Sequence, residues 1–302
     1  MAQKLDFEGV CMVSVSGGSD SDIMIDLIEK SEKRCKIVYA FYDTGIEYQA
    51  TKDHLSYLEK RYGITINRVK AVVPVPIAVK HYGYPFLSKN VSNYIGRLQK
   101  HKFHFSNTSS FEEDLAVYPK MKVGLRFWHD MWGEKSRFNI SNYKSLKEFL
   151  ANNSQSLARI SDGCCQGAKK RTAKKAEALY KPELTVIGVR RAQAGARATA
   201  YSNCFTPAKG ADPAEYRPLF FWTDEDKDAY EKSFNVVHSK CYTEYGLKRT
   251  GCAGCPFSSR WEEELKICER NEPKLYAALL NVFGPAYDIA KRYRRFKEAA
   301  NR

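Results

Sequence analysis

Unbroken apolar runs alternate with helical spacing along the first part of the chain. "GVCMVSV" (residues 9–15) reads as a buried strand, and Ile23, Met24, Leu27 and Ile28 then recur at helical intervals. "KIVYAFYD" (36–43) is a second strand, "TKDHLSYLEKRYG" a helix stopped by Gly63, and "INRVKAVVPV" (66–75) a third strand. The strand pattern resumes at "ELTVIGV", followed by a loop rich in arginine, and from "PLFFWTDEDKDAYEKSF" onward the spacing is helical. Such alternation predicts an α/β fold, a parallel sheet with helices on both faces. The expected organisation is an α/β domain over 1–210, with a less regular insert around 84–157, and a C-terminal helical region over 211–302 that carries cysteines. Trp128 and Trp132, four apart in the insert, are expected on one core face of a helix, with base stacking as the alternative.

Between the first strand and its helix stands S-G-G-x-D-S, Ser16 to Ser21. Gly17 and Gly18 let the backbone wrap an anion, and Ser16, Ser19 and Ser21 add hydroxyls. Free amides and the positive end of the helix dipole meet at such a turn, which makes it a phosphate site. A helix-capping turn is the plainer alternative. Asp20 cannot hold phosphate itself; it organises the loop or binds Mg²⁺, and as a loop aspartate is expected to matter more for catalysis than for folding. Ligands of parallel sheets sit beyond the carboxyl ends of the strands, where Asp43, Thr44 and Gly45 end the second strand. Neither G-x-x-x-x-G-K-[ST] nor G-x-G-x-x-G occurs, which removes the commonest nucleoside-triphosphate and dinucleotide loops.

Composition adds an anionic partner and little else. The chain has 302 residues, 43% of them hydrophobic, and a net charge of +14 from 49 basic and 35 acidic residues. That charge favours nucleotides, nucleic acid or a sulfated small molecule. No apolar run reaches the ~18–20 residues of a membrane span, and the N-terminus lacks a signal-peptide pattern. A cytoplasmic protein with no membrane partner is expected. Nine cysteines are then no disulfide framework. Cys11 and Cys35 fall in strand-like runs as core residues, and Cys241 reads as a buried thiol, whereas Cys164–Cys165 and the Cys252/Cys255 pair of "GCAGC" are clustered. Gly163 supplies a bend before the first pair, and a C-x-x-C turn puts two thiolates on one side of a loop.

The S-G-G-x-D-S hexapeptide resembles the PP-loop of the ATP pyrophosphatase superfamily, whose members cleave ATP between the α and β phosphates and adenylate an acceptor. "YGYPFLSKNVSNYI", "RISDGCCQGAKKRTAKKAE", "TVIGVRRAQAGAR", "PLFFWTDED" and "YGLKRTGCAGCPF" are similar, in order, to blocks of the phosphoadenosine-phosphosulfate reductase family, in its bacterial and phage branch. The resemblance implies an adenine nucleotide alpha hydrolase-like fold and an adenine nucleotide bound at residues 16–21 and 43–45. It also implies a nucleotide-facing block with Gly188, Arg190 and Arg197. The C-C … C-x-x-C pattern resembles the 4Fe–4S ligand set of adenylyl-sulfate reductases, and Lys169 matches a lysine of those enzymes. The implied metal ligands are Cys164, Cys165, Cys252 and Cys255, with zinc as the fallback.

Two departures bear on activity. The phosphate loop is intact where sulfonucleotide reductases carry a degenerate one, and no cysteine follows Cys268 where they place a catalytic thiol. The expectation is therefore an ATP- and Mg²⁺-dependent enzyme with Asp20 and Asp43 as catalytic residues, adenylating an acceptor for sulfur transfer. A nucleic acid or nucleotide is the candidate substrate, and a cysteine desulfurase or thioredoxin the candidate sulfur donor. The alternatives are a phosphoadenosine-phosphosulfate or adenylyl-sulfate reductase using an external thiol, and a non-catalytic nucleotide- or nucleic-acid-binding module.

Overall fold

The computed structural model describes residues 1–106, 108–193 and 200–300. The chain divides into two compact units, Met1–Val72 with Ala168–Ala253, and Val73–Gly167 with Gly254–Arg302.

The first unit is built on a six-stranded sheet: β1 (Val10–Val15), β2 (Lys36–Asp43), β3 (Ile66–Lys70), β4 (Leu184–Ile187), β5 (Phe205–Thr206) and β6 (Ala214–Tyr216), ordered β3-β2-β1-β4-β6-β5. All pairings are parallel except that of β5 with β6, an antiparallel edge. Pleating sends Cys11, Val13 and Val15 to one face, where they pack with Ile23, Met24 and Ile28 of the helix Ser19–Glu29 and with Leu55 and Leu58 of the helix Gln49–Tyr62. Met12 points to the other face, against Ala40, Val69 and Ala176 of the helix Arg171–Tyr180. Burying each larger side chain contributes about 1.5–3 kcal/mol. Helices therefore cover both faces, as the alternation predicts. Gly63 adopts φ +65° and caps the helix before it.

Two boundaries differ from expectation. β3 ends at Lys70, because Pro74 and Pro76 open the helix Val75–Tyr82; proline lacks the N–H a strand needs but suits a first helical turn. The division at 210/211 falls inside the first unit, since β6 pairs with β4 in the register Leu184↔Ala214.

The second unit joins the insert to the C-terminal helices. Ile95 and Leu98 of the helix Lys89–Lys100, Leu125 and Trp128 of Lys122–Trp128, Phe149 of Leu146–Asn153 and Tyr293 of Pro273–Ala299 share one core. Trp128 is fully buried and donates its indole N–H to the Ser106 carbonyl at 3.3 Å, so it is a core residue. Its helix stops there, and Trp132 lies beyond the end rather than on the same face. Among the described residues no helix is long and apolar enough to cross a membrane.

Candidate active site at the serine–glycine turn

Residues 16–21 turn from β1 into the helix Ser19–Glu29. Gly17 has φ +66°, and a Cβ there would lie 2.6 Å from Thr51 Cγ2, so only glycine fits. Gly18 caps the helix in an extended conformation, without a side-chain cap. Two serines fold the turn itself: Ser21 Oγ accepts from the Ser16 amide at 3.1 Å, and Ser16 Oγ from the Gly18 amide at 3.3 Å. The Ser19 amide donates instead to the hydroxyl of Tyr242 at 3.3 Å.

A cavity of about 70 Å³ opens over this turn. Ser16, Gly18, Ser19 and Ser21 line one side; Tyr242 of the short helix Lys240–Thr243 and Lys248, Arg249 and Thr250 of the loop after it come from a distant stretch of the same unit. The volume holds several waters, hence a phosphate group. Lys248 and Arg249 are exposed, and neither pairs with a carboxylate among the described residues. A helix N-terminus facing two unpaired cations makes an anion site by dipole and by charge. Nothing in the sequence assigns Tyr242, Lys248, Arg249 or Thr250 to this turn; the one signal is the basic pair in "GLKRTG".

Asp20 lines the same cavity, but its carboxylate is engaged. It is 8% exposed, accepts from Arg190 Nε at 2.8 Å through Oδ1, and accepts from Gln193 Nε2 through Oδ2. The Arg190 guanidinium also donates to the Thr223 carbonyl at 3.1 Å and to Asp224 at 2.8 Å. Asp20 and Arg190 therefore clamp the turn to the loop after β4, and the weak packing expected of a loop aspartate is not found. Gly188 lines the cavity as well; a Cβ on it would make a tight contact, 3.3 Å from the Asp20 carbonyl. Arg197 lies outside the described residues.

At the end of β2, Thr44 and Gly45 donate their amides to Glu47 at 2.8 and 3.1 Å, and the Thr44 hydroxyl also bonds Glu47. Asp43 Oδ1 accepts from the Gly45 amide at 3.0 Å. The loop after Thr250 docks on this turn: Ala253 N donates to Ile46 O at 3.0 Å, and Cys252 Sγ lies 3.5 Å from Thr44 Oγ1. A Cβ on Gly18 would stand 3.1 Å from Thr250 Oγ1. One loop thus reaches both the serine–glycine turn and the Asp43–Gly45 edge.

The other clustered cysteines belong to the second unit. Cys164 and Cys165 form the short helix Gly163–Cys165, which runs into a π-helical turn, Gln166–Lys170, that carries the exposed Lys169. Gly163 is there for close packing rather than for a bend: a Cβ would lie 2.5 Å from Tyr82 Cβ. Cys255 lies in the same unit, and both Cys255 and Cys268 are close enough to Tyr287 for their charge to add to the burial that raises its phenol. Among the described residues no group of three or more His, Cys, Asp or Glu side chains is placed to hold a metal ion. Cys11, Cys35 and Cys241 are buried, and burial raises the Cys11 thiol.

Beneath the turn lies a charged cluster that no sequence motif announces. Asp22 is fully buried, with His54 Nε2 at 3.0 Å and His238 Nδ1 at 2.7 Å; His238 Nε2 meets Glu231 at 2.8 Å. Carboxylates beside both ring nitrogens favour imidazolium. Burial alone lowers the His238 pKa, but hydrogen bonds to Asp22 and Glu231 and their charges raise it to about 9.

No curated protein matches the chain. Among solved structures, a phosphoadenylyl-sulfate reductase from Candida auris in a phosphate complex aligns over 80% of both chains, at 14% identity and a TM-score of 0.42. A U34-tRNA thiolase from Methanococcus maripaludis with its 4Fe–4S cluster aligns over 96% of this chain and 72% of that one, at 13% identity and a TM-score of 0.37. A family model matches residues 10–94, a stretch that holds β1, the serine–glycine turn and the Asp43–Gly45 edge, and the family it describes is the phosphoadenosine phosphosulfate reductase domain.

Proposed function

We propose that the first unit binds ATP through its phosphates at residues 16–21 and adenylates an acceptor, releasing pyrophosphate, as the step before sulfur transfer. The observation that carries this reading is the cavity where the Gly18–Ser21 turn faces Lys248 and Arg249. An acceptor oxygen attacks the α-phosphorus, the bond to the β-phosphate oxygen breaks, and pyrophosphate leaves with the electron pair. A sulfur nucleophile then displaces AMP from the activated carbon. The protein's part is electrostatic: the positive end of the helix Ser19–Glu29 and the two cations offset the charge gathering on pyrophosphate. Mg²⁺ shields phosphate charge when bound. Asp43 is its candidate ligand, since one carboxylate oxygen makes no hydrogen bond among the described residues, whereas Asp20 is committed to Arg190.

A 4Fe–4S cluster on Cys164, Cys165, Cys252 and Cys255 belongs to this reading as a separate expectation. The side chains as placed do not form a ready metal site, so no step above passes through it. Anaerobic protein should carry about four irons per chain if the cluster forms; iron-free, zinc-free protein removes it. A cytoplasmic setting is part of the same reading.

Product analysis tests the activity. Anaerobic incubation with ATP, a cysteine-derived sulfur donor and bulk RNA should yield AMP and pyrophosphate. Sulfite from phosphoadenosine phosphosulfate without ATP identifies a sulfonucleotide reductase instead.

A further inference from the structure

Two adjoining cavities, about 440 and 160 Å³, lie in the second unit and share Lys100 and Arg159. Phe103, Phe105 and Leu157 give the larger one an apolar floor, with Lys102 and His104 on its rim. Arg97 extends the smaller one.

The walls are stitched together. Gln99 Oε1 accepts from the Ile160 amide at 2.7 Å, and its Nε2 donates to the Ala158 carbonyl at 3.4 Å. Gly96 brings the helix Lys89–Lys100 against the 158–161 segment so closely that a Cβ would stand 2.5 Å from the Ile160 carbonyl. Tyr84 bridges Ile160 from the other side. The groove is therefore a built feature of the unit rather than a gap between loose loops.

Its charge is uncompensated. Arg97, Lys100, Lys102 and Arg159 are exposed, and none pairs with a carboxylate among the described residues. Arg97 donates to Asn93 at 2.8 Å, and Arg159 to the His81 carbonyl at 3.5 Å, both neutral partners. By contrast, the exposed Lys174, Lys240, Arg260 and Arg294 each hold a carboxylate. Asp162, the one acid lining either cavity, is occupied by Asn93 at 3.2 Å and Gln166 at 3.1 Å. A helix C-terminus favours Lys100, but Arg159 arrives from another segment, so the helix dipole does not account for the cluster. Unpaired cations held side by side repel one another, and a polyanion relieves that repulsion.

We propose that this face binds single-stranded nucleic acid. Backbone phosphates lie along Arg97, Lys100, Lys102 and Arg159, and a base enters the larger cavity over the Phe103–Phe105 floor, with Ser154 and Gln155 at its edge. The proposal gives a surface to the nucleic-acid substrate named above, but it rests on the second unit's residues alone.

Fluorescence anisotropy of labelled RNA and DNA oligonucleotides of about 12 nucleotides, titrated with full-length protein across salt concentrations, tests it. About three or four phosphate contacts give a log–log salt slope near −2 to −3. Lys100→Ala/Arg159→Ala should weaken binding about tenfold and make the slope shallower by about 1.4. Lys174→Ala/Lys240→Ala, which removes the same charge from paired sites, should change it less than about twofold. Absence of binding at low salt, equal loss in both double variants, or displacement by polyglutamate as readily as by unlabelled RNA each overturns the proposal. Should the first double variant melt early, Lys100→Gln/Arg159→Gln serves in its place. Calorimetric binding of Mg-ATP and of pyrophosphate, measured on the same variants, separates this outcome from the phosphate-loop reading: oligonucleotide binding by a protein with no affinity for either ligand refutes the latter alone.

Discussion

The hydroxyl of Tyr242 lies 3.3 Å from the amide nitrogen of Ser19 and accepts its hydrogen bond. The same oxygen accepts from the Thr250 amide at 3.3 Å, so the phenol joins the phosphate turn to the loop that brings Lys248 and Arg249. Burial raises the Tyr242 pKa, which keeps the phenol neutral and in this role at ordinary pH. A phosphate oxygen arriving at the turn competes with Tyr242 for the Ser19 N–H.

Tyr242→Phe should therefore act in opposite directions on stability and on binding. Two amides lose their acceptor, which costs about 1–2 kcal/mol in urea unfolding. Pyrophosphate, measured by calorimetry, should bind several-fold more tightly because nothing has to be displaced. Weakening of both together contradicts the competition.

Asp20→Ala should cost about 3 kcal/mol of stability, since it leaves the Arg190 guanidinium, 7% exposed, short of one carboxylate. Denaturant melts check this directly. A loss under about 0.5 kcal/mol would mean that the Asp20–Arg190 clamp does not hold the turn.

His238 gives the stability profile a pH dependence of definite sign. Its folded pKa of about 9 lies above the ordinary 6.5, so its contribution is complete below about 6.5 and disappears as pH rises through 9. Unfolding free energy should fall by up to about 3 kcal/mol across that window. In His238→Gln the fall should be absent; a variant with the wild-type slope would remove His238 as its source.

Much of this was readable from local pattern. The apolar run, the paired glycines and the helical spacing of Ile23, Met24 and Leu27 locate the turn, because strand, turn and helix are neighbours in the chain and each obeys a local rule. Gly63 as a helix stop belongs to the same class. What escaped depends on contacts between distant residues. The burial of Asp20 is decided by Arg190 from the loop after β4, and nothing in S-G-G-x-D-S announces it. Lys248 and Thr250 reach the turn on a loop that also docks on Ile46 and Thr44, and Tyr242 reaches it from the short helix Lys240–Thr243, whose cap Ser239 donates to the Ala50 carbonyl. The 210/211 boundary misled for a related reason: β6 is three residues long, too short to register as a strand until β4 pairs with it. In the second unit, Trp128 and Trp132 share a spacing but not a helix, since the helix ends at the first of them.

Calorimetric titration of Mg-ATP and of pyrophosphate into wild-type protein and into Lys248→Ala/Arg249→Ala addresses the central claim most directly. Both side chains are exposed, so the variant should melt like wild type. Wild type should bind both ligands, and the variant should bind each at least about 30-fold more weakly, as expected for loss of two charge-assisted contacts. Absence of binding to wild type, or equal affinity in the two proteins, would contradict a phosphate site at residues 16–21.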